Sequence, residues 1–155
     1  MIITTQTAGR RPDGGSFHDQ SVHGWPRRRV IWSCTASRGP LLTRYYLFES
    51  PVFAIYLHHL QASDEDRAFH DHPWSFVTIL LSGGYWEWHP VAAGERRTWR
   101  RRFSVLYRPA EWRHRLELER PTWTLVFRWR YRREWGFITR RGWLHWKAYG
   151  REFCD

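Results

Sequence analysis

Cysteine is scarce in this chain. The 155 residues contain two cysteines, Cys34 and Cys154, and neither lies in a Cys-x-x-Cys motif or beside the clustered histidines. Such usage predicts two reduced, structural thiols in an intracellular protein, and nothing in the sequence requires a bridge between them.

Long apolar runs are also lacking. No segment approaches the roughly 20 apolar residues that a membrane-spanning helix needs. The first residues, Met-Ile-Ile-Thr-Thr-Gln-Thr, offer neither a charged region nor an apolar core of the signal-peptide kind. The sequence therefore predicts a cytoplasmic protein without a membrane partner.

Lysine is nearly absent, because Lys147 is the only one, and yet the formal net charge is +10. A strongly basic chain with interleaved aromatic residues suggests contact with nucleic acid. The arginines are scattered, however, and no recognised nucleic-acid motif accompanies them. We therefore expect nucleic acid to be an unlikely partner and many of the arginines to protect turns and strand edges.

Aromatic residues are abundant, at 18% of the chain with 12 tryptophans. These side chains favour the pleated, half-buried surface of a sheet. Residues 1–29 are polar, rich in glycine and arginine, and without periodicity, which predicts an irregular N-terminal arm. Residues 30–155 predict a single domain, in keeping with the length.

Strand candidates recur every 8–15 residues, separated by turn residues, and no segment has a long helical period. Thr122 to Tyr131 alternates, with Trp123, Leu125, Phe127 and Trp129 on one face. This rhythm predicts an all-β sandwich or barrel. The candidates are residues 41–48, 52–60, 70–81, 85–89, 97–102, 103–107, 114–118 and 122–131.

Three histidines stand out against this pattern. His70 and His72 are two residues apart, so they point to the same face if they lie on a strand. His114 follows 42 residues after His72 and shares a face with Leu116 and Leu118. Three imidazoles from a rigid β-scaffold would form a site for a divalent transition metal with open coordination positions.

These residues resemble the two motifs of the cupin superfamily. His70-Asp71-His72 matches the histidine pair of the first motif, and Gly83 falls eleven residues after His72, where that motif has its glycine. Pro109 and His114 match the ends of the second motif, Pro-x-Gly-x-x-His. The string from Ser63 to Trp74 also resembles a group of uncharacterised bacterial and phage cupin-like proteins.

The chain departs from the family at two positions. Phe76 (or Val77) stands where the first motif has a glutamate ligand, and Glu111 stands where the second has glycine. The resemblance implies a jelly-roll or double-stranded β-helix fold over about residues 41–131. It also implies that His70, His72 and His114 bind the metal, with Fe(II) expected first and Zn, Ni or Mn as alternatives.

The missing glutamate leaves two readings of the ligand set. One is a neutral three-histidine site, which some cupin dioxygenases use with Fe(II). The other adds a fourth ligand, and the candidates are Glu87, His58 and His59. Because adjacent residues on a strand face opposite sides, no more than one of the two histidines can point inward.

Trp74, Phe76, Tyr85 and Trp112 flank the histidines in sequence and predict an aromatic substrate pocket, although aromatic residues can equally fill a core. The resulting hypothesis is a metal-dependent enzyme acting on a small molecule, with a three-histidine Fe(II) oxygenase as its sharpest form. The alternative is a non-catalytic cupin-like ligand-binding or assembly protein. A homodimer is expected from the edge pairing that cupin-like chains often show.

Overall fold

The computed structural model describes residues 19–22, 24–32, 39–64 and 68–153. Within them lie thirteen strands followed by a single helix. The elements are β1 Asp19–Val22, β2 Arg28–Trp32, β3 Pro40–Glu49, β4 Phe53–Leu60, β5 Phe69–His70, β6 Phe76–Ser82, β7 Gly84–Val91, β8 Gly94–Arg101, β9 Val105–Arg108, β10 Arg115–Leu118, β11 Thr122–Trp129, β12 Gly136–Thr139, β13 Gly142–His145 and α1 Trp146–Phe153.

The strands form three antiparallel sheets. The large sheet has the order β1-β2-β3-β4-β11-β6-β9, and the two smaller sheets have the orders β10-β7-β8 and β13-β12-β5. The predicted all-β, double-stranded β-helix class is confirmed. The sheets stay open instead of closing into a barrel, because over the described residues β1 and β9 end the large sheet without pairing to a smaller one.

The interior follows from alternation along the strands of the large sheet. In β11, Thr124, Val126 and Arg128 are buried, whereas the residues between them are more exposed. Val126 joins Ala54, Tyr56 and Phe76 in a buried apolar cluster against which Tyr46 and Trp74 pack. The inner face of this sheet is therefore the wall on which the candidate site is built.

The N-terminal arm differs from its prediction where the structure describes it. Residues 19–22 form β1 and residues 28–32 form β2, which pairs with β3. Their sequence lacks a strand pattern because backbone pairing with the sheet, rather than side-chain burial, sets their conformation. Residues 1–18 and 23 lie outside the described residues, as do Cys34 and Cys154, so the thiol prediction and the domain boundary at residue 30 stay predictions.

Across the described ranges, no helix has the length and apolar character needed to cross a membrane.

Gly136 is the point where β13 approaches the β5–β12 pair most closely. A Cβ atom at this position would lie 2.1 Å from the backbone carbonyl oxygen of Leu144. We expect Gly136→Ala to push β13 away and to lower the free energy of unfolding by about 1–3 kcal/mol. Urea denaturation measures this, with the exposed Arg140→Ala as the control. An unchanged midpoint would show that β13 moves without penalty.

Candidate metal centre

Two of the three histidines are joined through their backbones. His70 ends β5 and His114 immediately precedes β10, and they form an isolated antiparallel bridge. The His70 amide donates to the His114 carbonyl at 2.9 Å, and the His114 amide donates to the His70 carbonyl at 3.1 Å. The distance between these two residues is thus fixed by main-chain pairing rather than by flexible side chains.

His72 completes a triangle with them. Its amide donates to the carbonyl of Ala110 at 3.0 Å, which holds the segment after β5 against the loop before His114. The ring centroids are 5.1 Å apart for His70 and His72, 4.9 Å for His70 and His114, and 5.0 Å for His72 and His114. The structure therefore brings together the three histidines that the sequence singled out.

The nitrogens of this triangle fit a metal ion. One ring nitrogen from each histidine lies within 4.8 Å of the others, and Nε2 of His72 is 2.9 Å from Nε2 of His114. Nitrogens bound to one ion at about 2.0–2.1 Å lie roughly 3–3.5 Å apart, so small side-chain shifts suffice. Three imidazoles suit divalent transition metals better than Mg or Ca.

Burial keeps two of these imidazoles in the neutral form that binds metals. Burial lowers the pKa of His70 to about 4, although Asp64 opposes this shift with its carboxylate 3.7 Å from Nδ1. Burial also lowers the pKa of His72, and the neighbouring His114 and His70 add to the effect. Lone pairs are therefore available on these rings at neutral pH.

Glu87 lies behind His114. Its Oε1 accepts a hydrogen bond from Nδ1 of His114 at 2.9 Å, which leaves Nε2 of that ring unprotonated and directed at the other histidines. Burial alone would raise the pKa of Glu87, but the hydrogen bonds from His114 and Arg108 outweigh it and lower the pKa. The carboxylate is therefore ionised and fixes the orientation of the ring.

The surroundings of Glu87 explain why it does not act as a fourth ligand here. Its two oxygens also accept bonds from Arg108, from Nε of Arg100 at 2.8 Å and from Nε1 of Trp112 at 3.0 Å. The carboxylate is saturated and stands on the far side of the His114 ring. The predicted fourth-ligand role does not fit this geometry, because β7 carries Glu87 behind the ligand and not beside it.

His58 and His59 face opposite sides of β4, as alternation requires. The ring of His59 stacks on Trp123 at 4.2 Å on the outer side of the sheet. His58 stacks on the buried Tyr56, and its Nε2 accepts a hydrogen bond from Nε of Arg44 at 3.0 Å. Neither histidine joins the ligand cluster within the described residues, so the fourth-ligand hypothesis is not supported for this pair.

The four aromatic residues of the predicted pocket occupy different places. Phe76 is buried, and its ring meets His72 edge-on at 4.6 Å, so it walls the metal centre. Trp74 packs on the buried cluster around Phe76. Trp112 and the buried Tyr85 lie on the Glu87 side, where Trp112 serves as a hydrogen-bond donor. Phe76 is thus the one aromatic in direct ring contact with a candidate ligand.

Two further residues support the site without a sequence signal. Asp64 accepts a hydrogen bond from the Leu116 amide at 2.6 Å and faces His70. Arg44 is brought beside His58 by the register of β3 and β4. Both relations depend on which residues lie opposite each other across strands, which spacing along the chain cannot reveal.

Comparisons with solved structures support the fold. The Fe(II) form of HppE, solved with the alternative substrate (S)-1-HPP, matches with a TM-score of 0.53 and 10% identity over 77% of this chain and 65% of that one. Hydroxypropylphosphonic acid epoxidase from S. wedmorenis matches with a TM-score of 0.49 and 8% identity over 57% and 51%. An RmlC-like cupin from Shewanella frigidimarina matches with 0.48 and 14% identity over 59% and 78%.

The chain spans half to two-thirds of the length of the first two proteins. No family model and no curated protein matches the sequence.

Proposed function

Because the chain has the double-stranded β-helix fold of the cupin superfamily, we propose that it is a metal-dependent enzyme that acts on a small molecule. The observation that carries this proposal is the convergence of the His70, His72 and His114 nitrogens within 4.8 Å of one another. An ion held by three imidazoles keeps coordination positions open, and when bound it would polarise or activate groups placed there.

Fe(II) is the ion we propose first, with Zn, Ni or Mn as alternatives. Imidazole suits all of these ions, and three neutral ligands leave the full charge of the ion available to a ligand or to O2. HppE, which shares the fold, was solved as its Fe(II) form. The sharpest version of the proposal is therefore an oxygenase with a three-histidine iron site.

Each residue of the centre has a role in this proposal. His70, His72 and His114 hold the ion. Glu87 keeps Nδ1 of His114 protonated and its Nε2 free, as carboxylates behind metal ligands do. Phe76 excludes water from one side of His72 and gives a bound molecule an apolar wall.

Metal content tests the first part of the proposal. We expect protein purified without a histidine tag to hold about one equivalent of a transition metal, measured by plasma mass spectrometry after loading and desalting, because the three ligands are prearranged. The double variant His70→Ala/His72→Ala should hold none. His59→Ala removes a histidine from the outer face and should keep the metal. Equal metal in all three proteins would place the ion elsewhere.

Nitric oxide tests the open positions. Added to the anaerobic Fe(II)-loaded protein, it should give the EPR spectrum of a high-spin iron nitrosyl, because a site with three protein ligands can accept it. The non-catalytic alternative would be favoured if iron bound and this spectrum did not appear.

A further inference from the structure

Arg44 is a charged residue on the inner face of the large sheet. Its position in β3 pairs with His58 of β4, and Nε donates to Nε2 of His58 at 3.0 Å. Its guanidinium carbon lies 4.8 Å from the centre of the buried Tyr56 ring. The side chain therefore points into the space between the sheets rather than into solvent.

This arginine differs from the other arginines of the interior. Arg108 and Arg100 bind Glu87, and Arg128 lies 3.6 Å from Glu49. No carboxylate forms an ion pair with Arg44 among residues 19–22, 24–32, 39–64 and 68–153. A guanidinium held away from water without a counter-charge is unfavourable unless a ligand supplies one.

His58 orients this group. An arginine Nε only donates, so Nε2 of His58 must be the acceptor and carries no proton. Burial and the adjacent Arg44 charge both lower the pKa of His58, which keeps the ring neutral. With Nε fixed in this way, the two terminal nitrogens of the guanidinium are left to form the planar pair of donors that matches an oxyanion.

Arg44 also lies on the side of the metal centre. The Tyr56 ring beneath its guanidinium belongs to the same buried cluster as Phe76, whose ring touches His72. Arg44 is among the charges that lower the pKa of His72.

Charge balance strengthens the argument. The usual carboxylate ligand is replaced by Phe76, so the ligands His70, His72 and His114 would leave the two positive charges of the ion uncompensated. Arg44 adds a third positive charge on the same side of the fold.

From this arrangement we infer that the substrate is a small oxyanion, carboxylate or phospho in type, whose anionic group binds Arg44 while a second polar group reaches the metal. This inference rests on the proposed function for its second contact, whereas the Arg44 contact stands on the metal-free structure.

Two simple probes, propionate and methylphosphonate, test the anion site. Their methyl protons allow saturation-transfer NMR titration of the metal-free protein and of the Zn-loaded protein. We expect both forms to bind at least one probe, and Arg44→Gln to weaken that binding by about tenfold or more. Arg113→Gln removes an exposed arginine from the same chain and should bind as the wild type does.

Further arms keep the outcome clear. Arg44→Lys retains the charge without the planar fork, so it should bind the probe more weakly than the wild type and more tightly than Arg44→Gln. Circular dichroism and the zinc content of each variant show that it is folded. Absence of binding to the wild type, or equal binding to the wild type and Arg44→Gln, would overturn the inference. Probe binding without any zinc uptake would instead overturn the proposed function and leave the anion site standing.

Discussion

Replacement of Glu87 by alanine is expected to lower the free energy of unfolding by about 3–5 kcal/mol. The carboxylate is 1% exposed and neutralises a buried set of donors on Arg108, Arg100, Trp112 and His114. Removal of it leaves the buried Arg108 without a counter-charge, and an unpaired buried charge is more destabilising than the pair was stabilising.

The same change should weaken the metal centre. Without Glu87 the His114 ring loses the acceptor that fixes its tautomer, so zinc affinity should fall by about 10–100-fold. Glu87→Gln keeps the shape of the side chain, yet an amide has one acceptor oxygen for the work of two. We expect Glu87→Gln to remain more stable than Glu87→Ala and to lose zinc affinity all the same.

Urea denaturation and chelator competition measure these two effects separately. Glu117→Ala is the matched control, since this glutamate lies on the outer face of the neighbouring strand β10, about two-fifths exposed, and accepts from Trp88. An exposed pair of this kind contributes less than about 1 kcal/mol. Equal stability of Glu87→Ala and Glu117→Ala would show that the Glu87 cluster is not what holds β7 against the site.

Acidification of the metal-free protein from pH 6.5 to pH 5 is expected to remove about 2 kcal/mol of stability through His70 alone. The pKa of this residue is 6.5 in an ordinary setting and about 4 in the fold, because burial disfavours the charged ring. Between those values the unfolded chain binds the proton and the folded chain does not. Stability therefore falls as the pH falls through this window, and His70 contributes nothing above it.

Burial lowers the pKa of His58 and His72 in the same direction, so the total loss should exceed the share of His70. Glu87 acts at a more acidic pH. Its pKa in the fold is lowered below 4.5, so the stability it provides is present above 4.5 and is lost only on further acidification. The two effects are thus separated along the pH axis.

Urea denaturation at pH 7, 6 and 5, with the slope checked for constancy, measures the acid effect. His70→Gln should flatten the decrease relative to the wild type, because glutamine does not titrate. Parallel curves for the two proteins would mean that His70 takes up its proton in the folded state without penalty.

Much of the fold could be predicted because periodicity and turn residues are local signals. The alternation in β11 and the strand rhythm from Leu41 onward gave the correct class. The polar strand β1 has no such signal, because its partner β2 and not its own side chains determines it. The hypotheses of a homodimer, of no nucleic-acid partner and of a cytoplasmic location stay predictions.

At the site, the three histidines could be found because their spacing in the chain is itself the signal. The position of Glu87 behind His114 depends on β7 running beside β10, where Leu116 is the partner of Glu87. The contact between Arg44 and His58 likewise depends on the register of β3 against β4. Such relations arise between strands, so a search along the sequence offered Glu87 as a ligand and passed over Arg44.

The backbone bridge between His70 and His114 sets the order in which the protein and an ion can come together. These residues are brought side by side only when distant parts of the chain have already paired, so main-chain hydrogen bonds meet the entropy of closing that loop before any ion arrives. An ion bound there would act as a latch on the finished fold and not as a nucleus for folding. It would lengthen the lifetime of the native state by slowing its opening, while the rate of folding stayed nearly the same.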